Sequence, residues 1–146
     1  MKKNIAVMFG IAMLCVLLMG NAGYAFDPND LYTLQTTNMC PRCDLSGADL
    51  TGLAGQVTDL QMSNLSGANL NGVNLSNTDI DGANLSGANL SYANLTQADM
   101  CTSNLSGANL TGATVTGTYL DGATLDNATW VDGQPCQPGS VTQCNE

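Results

Sequence analysis

An apolar residue at every fifth position is the feature that most restricts what this chain can fold into. Residues 82–95 read GANLSGANLSYANL, with leucines at Leu85, Leu90 and Leu95. On an α-helix, side chains five residues apart point about 140° apart, so these leucines would spread over every side of the helix. On a flat β-strand, an odd spacing places them on alternate faces. The five-residue period therefore predicts a chain that turns a corner once in every repeat.

The period extends over most of the sequence as an internal repeat. Eighteen pentads run from Cys43 to Asp132 without a change of frame, and each has its anchor residue at the third position. The residue two places before the anchor is usually Ala, Ser or Thr. The anchors are Leu45, Leu50, Leu60, Leu65, Leu70, Leu75, Ile80, Leu85, Leu90, Leu95, Met100, Leu105, Leu110, Val115, Leu120, Leu125 and Trp130. Only Gly55 breaks this series, so we expect a bulge or a loosened corner over 53–57.

The repeated pattern Ala-(Asn/Asp)-Leu-Ser-Gly resembles that of the pentapeptide-repeat proteins, over 90 residues from 43 to 132. This resemblance implies an all-β solenoid, a right-handed quadrilateral β-helix with one pentad per side and four per coil. The anchor and the small residue two before it would point inward. Four pentads per coil imply a second period of 20, and Asp/Asn-Leu-Ser-Gly does begin at Asp44, Asn64, Asn84 and Asn104. The expected shaft has about 4.5 coils and is roughly 20 Å long.

The first 25 residues have the features of a signal peptide. Lys2 and Lys3 precede an apolar run over 5–19, and small residues at Gly23 and Ala25 predict cleavage after Ala25. The run is shorter than the roughly 20 residues that a membrane-spanning helix needs, which disfavours the alternative of an uncleaved anchor. Cys15 lies inside the apolar run and does not follow a small residue, which disfavours a lipoprotein signal. We expect an exported protein, periplasmic or secreted, whose mature chain is 26–146.

Both ends of a solenoid need covers, because an open end exposes the core and a sheet edge. Asp27-Pro28-Asn29-Asp30 predicts the start of a short helix, so 26–42 is expected to be an N-terminal capping segment. Residues 133–146 are expected to be a C-terminal tail. Both ends of the repeat region resemble a subset of exported pentapeptide-repeat proteins. These proteins share the opening Cys40-Pro-Arg-Cys43-Asp-Leu-Ser-Gly47 and the closing Thr129-Trp130 with its cysteine-containing tail. That resemblance implies no defined activity.

Five cysteines remain after the predicted cleavage: Cys40, Cys43, Cys101, Cys136 and Cys144. A disulfide needs Cα atoms within about 7 Å, whereas the ends of the implied shaft lie roughly 20 Å apart. Cys40–Cys43 and Cys136–Cys144 are therefore the favoured pairs, each holding one cap in an oxidising compartment. The alternative for Cys40 and Cys43 is a thioredoxin-like redox pair, which normally lies at a helix N-terminus of an α/β fold. Cys101 is an outward, free thiol, either merely tolerated or available for intermolecular pairing or reaction.

The charge of the mature chain excludes several classes of partner and site. All 12 acidic residues and one cation, Arg42, lie in 26–146, which gives 1 − 12 = −11. Such a surface is repelled by phosphate backbones and anionic headgroups, so we expect no nucleic-acid binding and no stable membrane association. The same segment has no Lys and no His, which excludes a His-based triad, a lysine Schiff base and a His-ligated zinc. We expect no cofactor and no metal requirement.

One side of the implied shaft differs from the other three. Sorting by the 20-residue period places five aspartates together on that side: Asp59, Asp79, Asp81, Asp99 and Asp121. Like charges opposed on neighbouring strands cost about 0.2–1 kcal/mol per pair. Three interpretations remain open: a merely solvated stripe, a docking face for a basic protein, or a weak oxygen-ligand cation site of the Ca²⁺ type.

The sequence favours an interaction module over an enzyme. A Leu/Ala interior leaves no cavity of the usual ligand size, and no base is present to activate the abundant hydroxyls. The best-known members of the resembled family mimic DNA and bind gyrase, but the signal peptide directs this chain away from the cytoplasm. We expect a monomeric, rigid, acidic interaction module with an unknown partner. The alternatives are a passive structural or envelope protein and a weak divalent-cation-binding protein.

Overall fold

The structure, a computed structural model, describes residues 26–53 and 56–140. The predicted signal peptide, the middle of the predicted bulge and Cys144 lie outside these residues. Among these residues there is no helix with the length and hydrophobicity of a membrane span.

A single helix, α1, spans Pro28–Thr37 in the described residues, where the sequence predicts a short helix. Asp27 is its N-cap, and its side chain accepts a hydrogen bond from the backbone N–H of Asn29. Pro28 occupies the first turn, where its missing N–H costs nothing because that donor would have no partner inside the helix. The helix ends at Asn38, a left-handed residue whose N–H donates to the carbonyl of Leu34.

After α1 the backbone forms a four-sided coil. Fourteen isolated parallel β-bridges connect described residues, and every one joins positions 20 apart. The sides are therefore single-residue bridges in register rather than extended strands. Face 1 carries Met39, Asp59, Asp79, Asp99 and Tyr119; face 2 carries Asp44, Asn64, Asn84, Asn104 and Thr124; face 3 carries Asp49, Asn69, Asn89, Asn109 and Thr129; face 4 carries Asn74, Asn94 and Thr114. The 20-residue register matches the expected four pentads per coil.

The interior contains the two residues that flank each bridge position. Anchors in the middle of the shaft, such as Leu65, Leu85 and Leu105, are fully buried. The small residues two before the anchors are buried as well, including Ala68, Ala88 and Ala108. Anchors near the C-terminal end are only partly buried, as at Val115, Leu120 and Trp130. The core therefore runs the length of the shaft and thins at that end.

Most of the described corners are tight turns in which the second residue after the anchor adopts a left-handed conformation; Gly52, next to the irregular segment, is an exception. At one such corner the N–H of Ala68 donates to the carbonyl of Leu65 at 3.0 Å, and Gly67 between them has φ +66°. A positive φ at the third residue of the turn is what a type II turn requires, and glycine adopts it without steric cost. Seven corner positions instead hold side chains: Arg42, Met62, Asn77, Tyr92, Gln97, Thr102 and Asn127.

The predicted irregularity is visible at the described end of its segment. In a regular pentad the residue two before the anchor is buried, but before Leu60 that residue, Thr58, is exposed. Val57 is fully buried in its place. The N–H of Asp79 still donates to the carbonyl of Thr58 at 3.1 Å, so the 20-residue register survives this local shift of one residue.

The bridge ladder begins one pentad before Cys43. Met39 bridges to Asp59, and Cys40 occupies an anchor position with its N–H donating to the carbonyl of Asp59 at 2.8 Å. At the other end the chain turns back over the last coil, where Thr129 and Pro135 form an antiparallel bridge. The carbonyl of Ser140 then accepts from the N–H of Leu125 at 2.9 Å. The described tail therefore covers the ends of faces 2 and 3.

Candidate functional site

The aspartates singled out in the sequence are neighbours on face 1. Asp59 bridges to Asp79, and Asp79 bridges to Asp99, so the three lie directly above one another on successive coils; we call them the aspartate column. Asp81 and Asp121 lie at the corner that follows face 1, in line with Cys101. The N–H of Gly82 donates to the carbonyl of Cys101, and the N–H of Thr102 donates to that of Asp121, which keeps this corner stacked.

The same backbone positions on the other faces hold amide ladders. On face 2, Asn64 donates through Nδ2 to Asp44 Oδ1 at 3.1 Å, and Asn84 donates to Asn64 at 3.4 Å. Comparable side-chain bonds join Asn89 to Asn69 at 3.0 Å and Asn94 to Asn74 at 3.2 Å. An amide both donates and accepts, so each Asn passes a hydrogen bond to the next coil.

The aspartate column has no such continuity, because an ionised carboxylate only accepts. Asp59, Asp79 and Asp99 each accept from the backbone N–H two residues ahead, at 3.0, 3.2 and 3.1 Å. Gln61 also donates to Asp79 through Nε2. At the corner, Thr102 Oγ1 donates to Asp81 at 2.8 Å. The column therefore stacks three like charges at the spacing of successive coils, about 4.8 Å, with no donor in its own row between them.

Exposed apolar side chains border the aspartate column, and the sequence analysis did not single them out. Met39 at the N-terminal end of face 1 is 45% exposed, and Tyr119 at the C-terminal end is 57% exposed. Met62, at the corner beside the column, is also 57% exposed. Met39 and Tyr119 depart from the Asp that face 1 carries between them, and that departure is the signal that could have identified them. Met62 lies in a corner column that also holds Arg42, Gly82, Thr102 and Gly122, so the sequence gives no such signal for it. Methionine and aromatic side chains are enriched at protein–protein interfaces.

Cys101 is a half-buried free thiol between two carboxylates. The hydrogen bond to the Asp99 carboxylate raises the pKa of the Cys101 thiol, and partial burial and the charges of Asp99 and Asp121 act in the same direction. A raised pKa means that less of the nucleophilic thiolate is present at a given pH. The surroundings of Cys101 thus suppress its reactivity.

Replacing Asp99 with Asn is expected to make Cys101 react faster with iodoacetamide. The substitution removes the charge that stabilises the protonated thiol, so the rise of rate with pH should begin at a lower pH than in the unchanged protein. The measurement is the alkylation rate by mass spectrometry between about pH 7 and pH 10, a range that brackets an ordinary thiol. The matched control is Asp59→Asn, on the same face two coils away. Identical pH profiles for Asp99→Asn and the unchanged protein would contradict this account.

Cys40 and Cys43 form a disulfide with a Cα–Cα distance of 5.5 Å. Both residues are buried, and they follow the C-terminal end of α1 rather than an N-terminus. A redox-active pair normally presents an accessible thiol at a helix N-terminus, so this placement favours a structural bond. Cys136 is also disulfide-bonded, and Cys144, its predicted partner, lies outside the described residues.

In the described parts of the chain, one group of three potential metal ligands converges, formed by Asp30, Cys40 and Cys43. Its two sulfur atoms are bonded to each other and offer no thiolate. The five aspartates of the predicted site are not brought together in a group of this kind. The geometry of the described residues therefore gives no support to the cation-binding alternative.

Comparison with known proteins identifies the repeats. The family model described as pentapeptide repeats matches the chain with eight copies, over residues 58–87, 68–107 and 103–129. No curated protein sequence matches the chain.

Three solved structures illustrate the similarity. Rfr23, a pentapeptide repeat protein from the cyanobacterium Cyanothece 51142, is 30% identical over 70% of this chain and 97% of its own, with a TM-score of 0.44. HetL from Nostoc sp. strain PCC 7120, a pentapeptide repeat protein involved in heterocyst differentiation regulation, is 32% identical over 66% of this chain, with a TM-score of 0.33. This chain spans about half of HetL, 51%. A pentapeptide repeat protein from the Arabidopsis thaliana thylakoid lumen is 27% identical over 73% of this chain and 86% of its own, with a TM-score of 0.33.

Proposed function

This chain belongs to the family of pentapeptide-repeat proteins, which form right-handed quadrilateral β-helices, and on that basis we propose that it is a non-catalytic, exported interaction module. Its face 1 binds a basic protein. The residues that carry this binding are Asp59, Asp79 and Asp99 of the aspartate column, with Asp81 and Asp121 at the adjoining corner.

The observation that carries the proposal is the interruption of the amide ladder on face 1. Asn at positions 59, 79 and 99 would continue the side-chain hydrogen bonds seen on face 2, whereas Asp stacks like charges on successive coils. That arrangement opposes folding by about 0.2–1 kcal/mol for each adjacent pair. A cationic partner placed over the column would offset this repulsion. The aspartates therefore oppose folding of the free protein but attract the partner in the complex.

Exposed apolar groups support a protein as the partner. Met39 and Tyr119 lie at the two ends of the column, and Met62 lies at its side. Apolar contact supplies most of the affinity of protein interfaces, while charge complementarity mainly sets orientation and association rate. A lysine-rich or arginine-rich surface with apolar groups at matching positions fits face 1.

The N-terminal end of the shaft supports a stable module in an oxidising compartment. Leu34 of α1 is fully buried, and Asp30 of α1 accepts a hydrogen bond from the N–H of Asp44 at 2.7 Å. These contacts, with the Cys40–Cys43 disulfide, support a capping role for 26–42. We place the protein in the periplasm or outside the cell, as a monomer.

The proposal is tested by affinity capture from periplasmic extract of the source organism. The bait is the protein, expressed from its full coding sequence and purified, beside the triple variant Asp59→Asn, Asp79→Asn, Asp99→Asn. The matched control changes Asp44, Asp49 and Asp132 to Asn, which alters the net charge equally but leaves face 1 intact. We expect a basic protein that is retained by the unchanged protein and the control, lost from the face 1 variant, and released by salt.

The same experiment distinguishes the alternative of a passive structural protein. That alternative predicts the same background on all three baits at low salt. Equal loss from the face 1 variant and the control would instead indicate non-specific attraction to overall negative charge. Either result would reject face 1 as a binding site.

A further inference from the structure

A second surface of the shaft differs from face 1 in having no charge. It comprises 69–77, 89–97 and 109–117, three successive coils of faces 3 and 4 with the corner between them; we call it the Tyr92 surface. No Asp, Glu, Lys or Arg occurs in these segments. Acidic residues return only at its two ends, with Asp49 one coil before and Asp132 one coil after. Between Leu60 and Leu120 the charged residues, Asp79, Asp81 and Asp99, all lie on face 1 or at the corner after it, so the Tyr92 surface is uncharged, as is face 2 beside it.

Tyr92 lies at the middle of this surface and is the most exposed large apolar side chain among the described residues of the shaft, at 69%. It occupies a corner position with φ +59°, where Gly72 and Gly112 stand on the coils before and after. Residues other than glycine adopt this conformation at a cost, and Tyr92 is the bulkiest of the seven that do so at the corners of the shaft. Glycine would satisfy the turn with less strain, as it does at Gly72 and Gly112 in the same column.

The Tyr92 ring is held in place from one side and open on the other. A Cβ added to Gly112 would lie 2.7 Å from ring atoms Cδ1 and Cε1, so the ring lies directly over that glycine. A Cβ added to Gly72 would meet nothing within 4 Å. The backbone is fixed as well, because the N–H of Tyr92 donates to the carbonyl of Thr111 at 3.0 Å. Tyr92 is thus a preorganised aromatic group that projects from a rigid support.

Amide and hydroxyl groups surround the ring. Asn94 and Asn74 form one ladder at 3.2 Å, and Asn89 and Asn69 form another at 3.0 Å, on the two sides of the corner. Thr114, Thr116, Gln97 and Asn77 are exposed on the same surface. These groups both donate and accept hydrogen bonds and carry no charge.

We propose that the Tyr92 surface binds an uncharged polysaccharide. The apolar face of a pyranose ring stacks on the tyrosine ring, and the sugar hydroxyls hydrogen-bond to the surrounding amides and hydroxyls. A neutral ligand fits because the surface offers no charge to pair with an ionic one. A single aromatic group in a wholly polar surround fits a polyhydroxylated chain better than a protein, whose interfaces contain a larger apolar centre. This surface shares no residue with face 1, so the inference goes beyond the proposed function.

The test is affinity electrophoresis in native gels that contain hydroxyethyl cellulose, a soluble β-glucan or a galactomannan, with polygalacturonate as the anionic comparison. The protein, expressed from its full coding sequence, is run beside Tyr92→Gly and Met62→Gly. Met62 is the matched control, because it is another exposed residue at a left-handed corner, with φ +54°. Like Tyr92, it packs over the glycine of the following coil: a Cβ added to Gly82 would lie 3.5 Å from Met62 Cγ. Both substitutions relieve the same backbone strain, so neither should lower the thermal unfolding temperature.

We expect at least one uncharged polysaccharide to retard the unchanged protein and Met62→Gly equally, and to retard Tyr92→Gly about tenfold less in apparent affinity. The face 1 triple variant should still be retarded, which separates this inference from the proposed function. The inference is overturned if no uncharged polysaccharide retards the protein, or if Tyr92→Gly is retarded like the unchanged protein. It is equally overturned if Tyr92→Gly clearly lowers the unfolding temperature while Met62→Gly does not, because Tyr92 would then be a structural cover for Gly112.

Discussion

Replacing Leu85 with Ala is expected to lower the free energy of unfolding by about 3–5 kcal/mol. Leu85 is fully buried in the middle of the shaft. Hydrogen bonds join its coil to the coils before and after it. The N–H of Leu85 donates to the carbonyl of Asn104 at 2.8 Å, and the N–H of Leu65 donates to the carbonyl of Asn84 at 2.7 Å. A coil held to its neighbours on both sides cannot collapse into the space that the side chain leaves. The cavity cost should therefore be near the upper part of the usual range.

Leu120→Ala is the matched control, because Leu120 is also an anchor but is only partly buried at the C-terminal end of the core. We expect its cost to be about 1–2 kcal/mol, since less apolar area returns to water and the end of the shaft is freer to adjust. Equilibrium unfolding in urea, followed by circular dichroism, measures both values. Equal losses would contradict the view that the middle of the shaft is the most tightly packed part.

The repeat period alone predicts the central geometry of the fold. A five-residue period requires one corner per repeat, and the 20-residue recurrence of Asp/Asn-Leu-Ser-Gly indicates four repeats per coil. The bridges confirm this register, as in the pairs Asn64–Asn84 and Asn84–Asn104. These features are predictable because each pentad meets nearly the same environment, so the local pattern and the global structure carry the same information.

The irregular positions were less predictable, because they depend on neighbours one coil away. The break at Gly55 indicates a disturbance, but only the structure shows that Val57 replaces Thr58 in the interior. Likewise, Cys40 lies at a multiple of five, yet the start of the repeat pattern at Cys43 concealed that the ladder already includes Met39.

The candidate site also contains features that the sequence predicted and features that it did not. The stacking of Asp59, Asp79 and Asp99 follows from the 20-residue period, and the structure places them in one column. The exposed Met62 and Tyr92 were not anticipated, because a bulky residue at one corner of a repeat looks like a tolerated variation in sequence. The 20-residue register shows that Tyr92 stands between Gly72 and Gly112, and only then does its left-handed conformation become a departure with a cost.

Replacing Leu34 with Ala is expected to lower the free energy of unfolding by about 2–4 kcal/mol and thereby to test the capping role of α1. Leu34 is fully buried, although it belongs to a helix of only 10 residues. A helix of this length is marginal in isolation, so its order depends on packing against the first coil. Alanine is a better helix former than leucine, so any loss of stability reports lost packing and not lost helix propensity.

Tyr32→Ala on the same helix is the control, because Tyr32 is 51% exposed and its removal should change stability by less than about 0.5 kcal/mol. Urea unfolding gives the stability of both variants. Limited proteolysis gives a second measurement, since release of α1 would expose 26–38 to cleavage in Leu34→Ala but not in Tyr32→Ala. If Leu34→Ala unfolds at the same urea concentration as the unchanged protein and resists cleavage equally, α1 is an appendage to the shaft. If only Leu34→Ala loses stability and resistance to cleavage, the first coil depends on α1 to exclude water from its end. Each later coil has the preceding coil in that position.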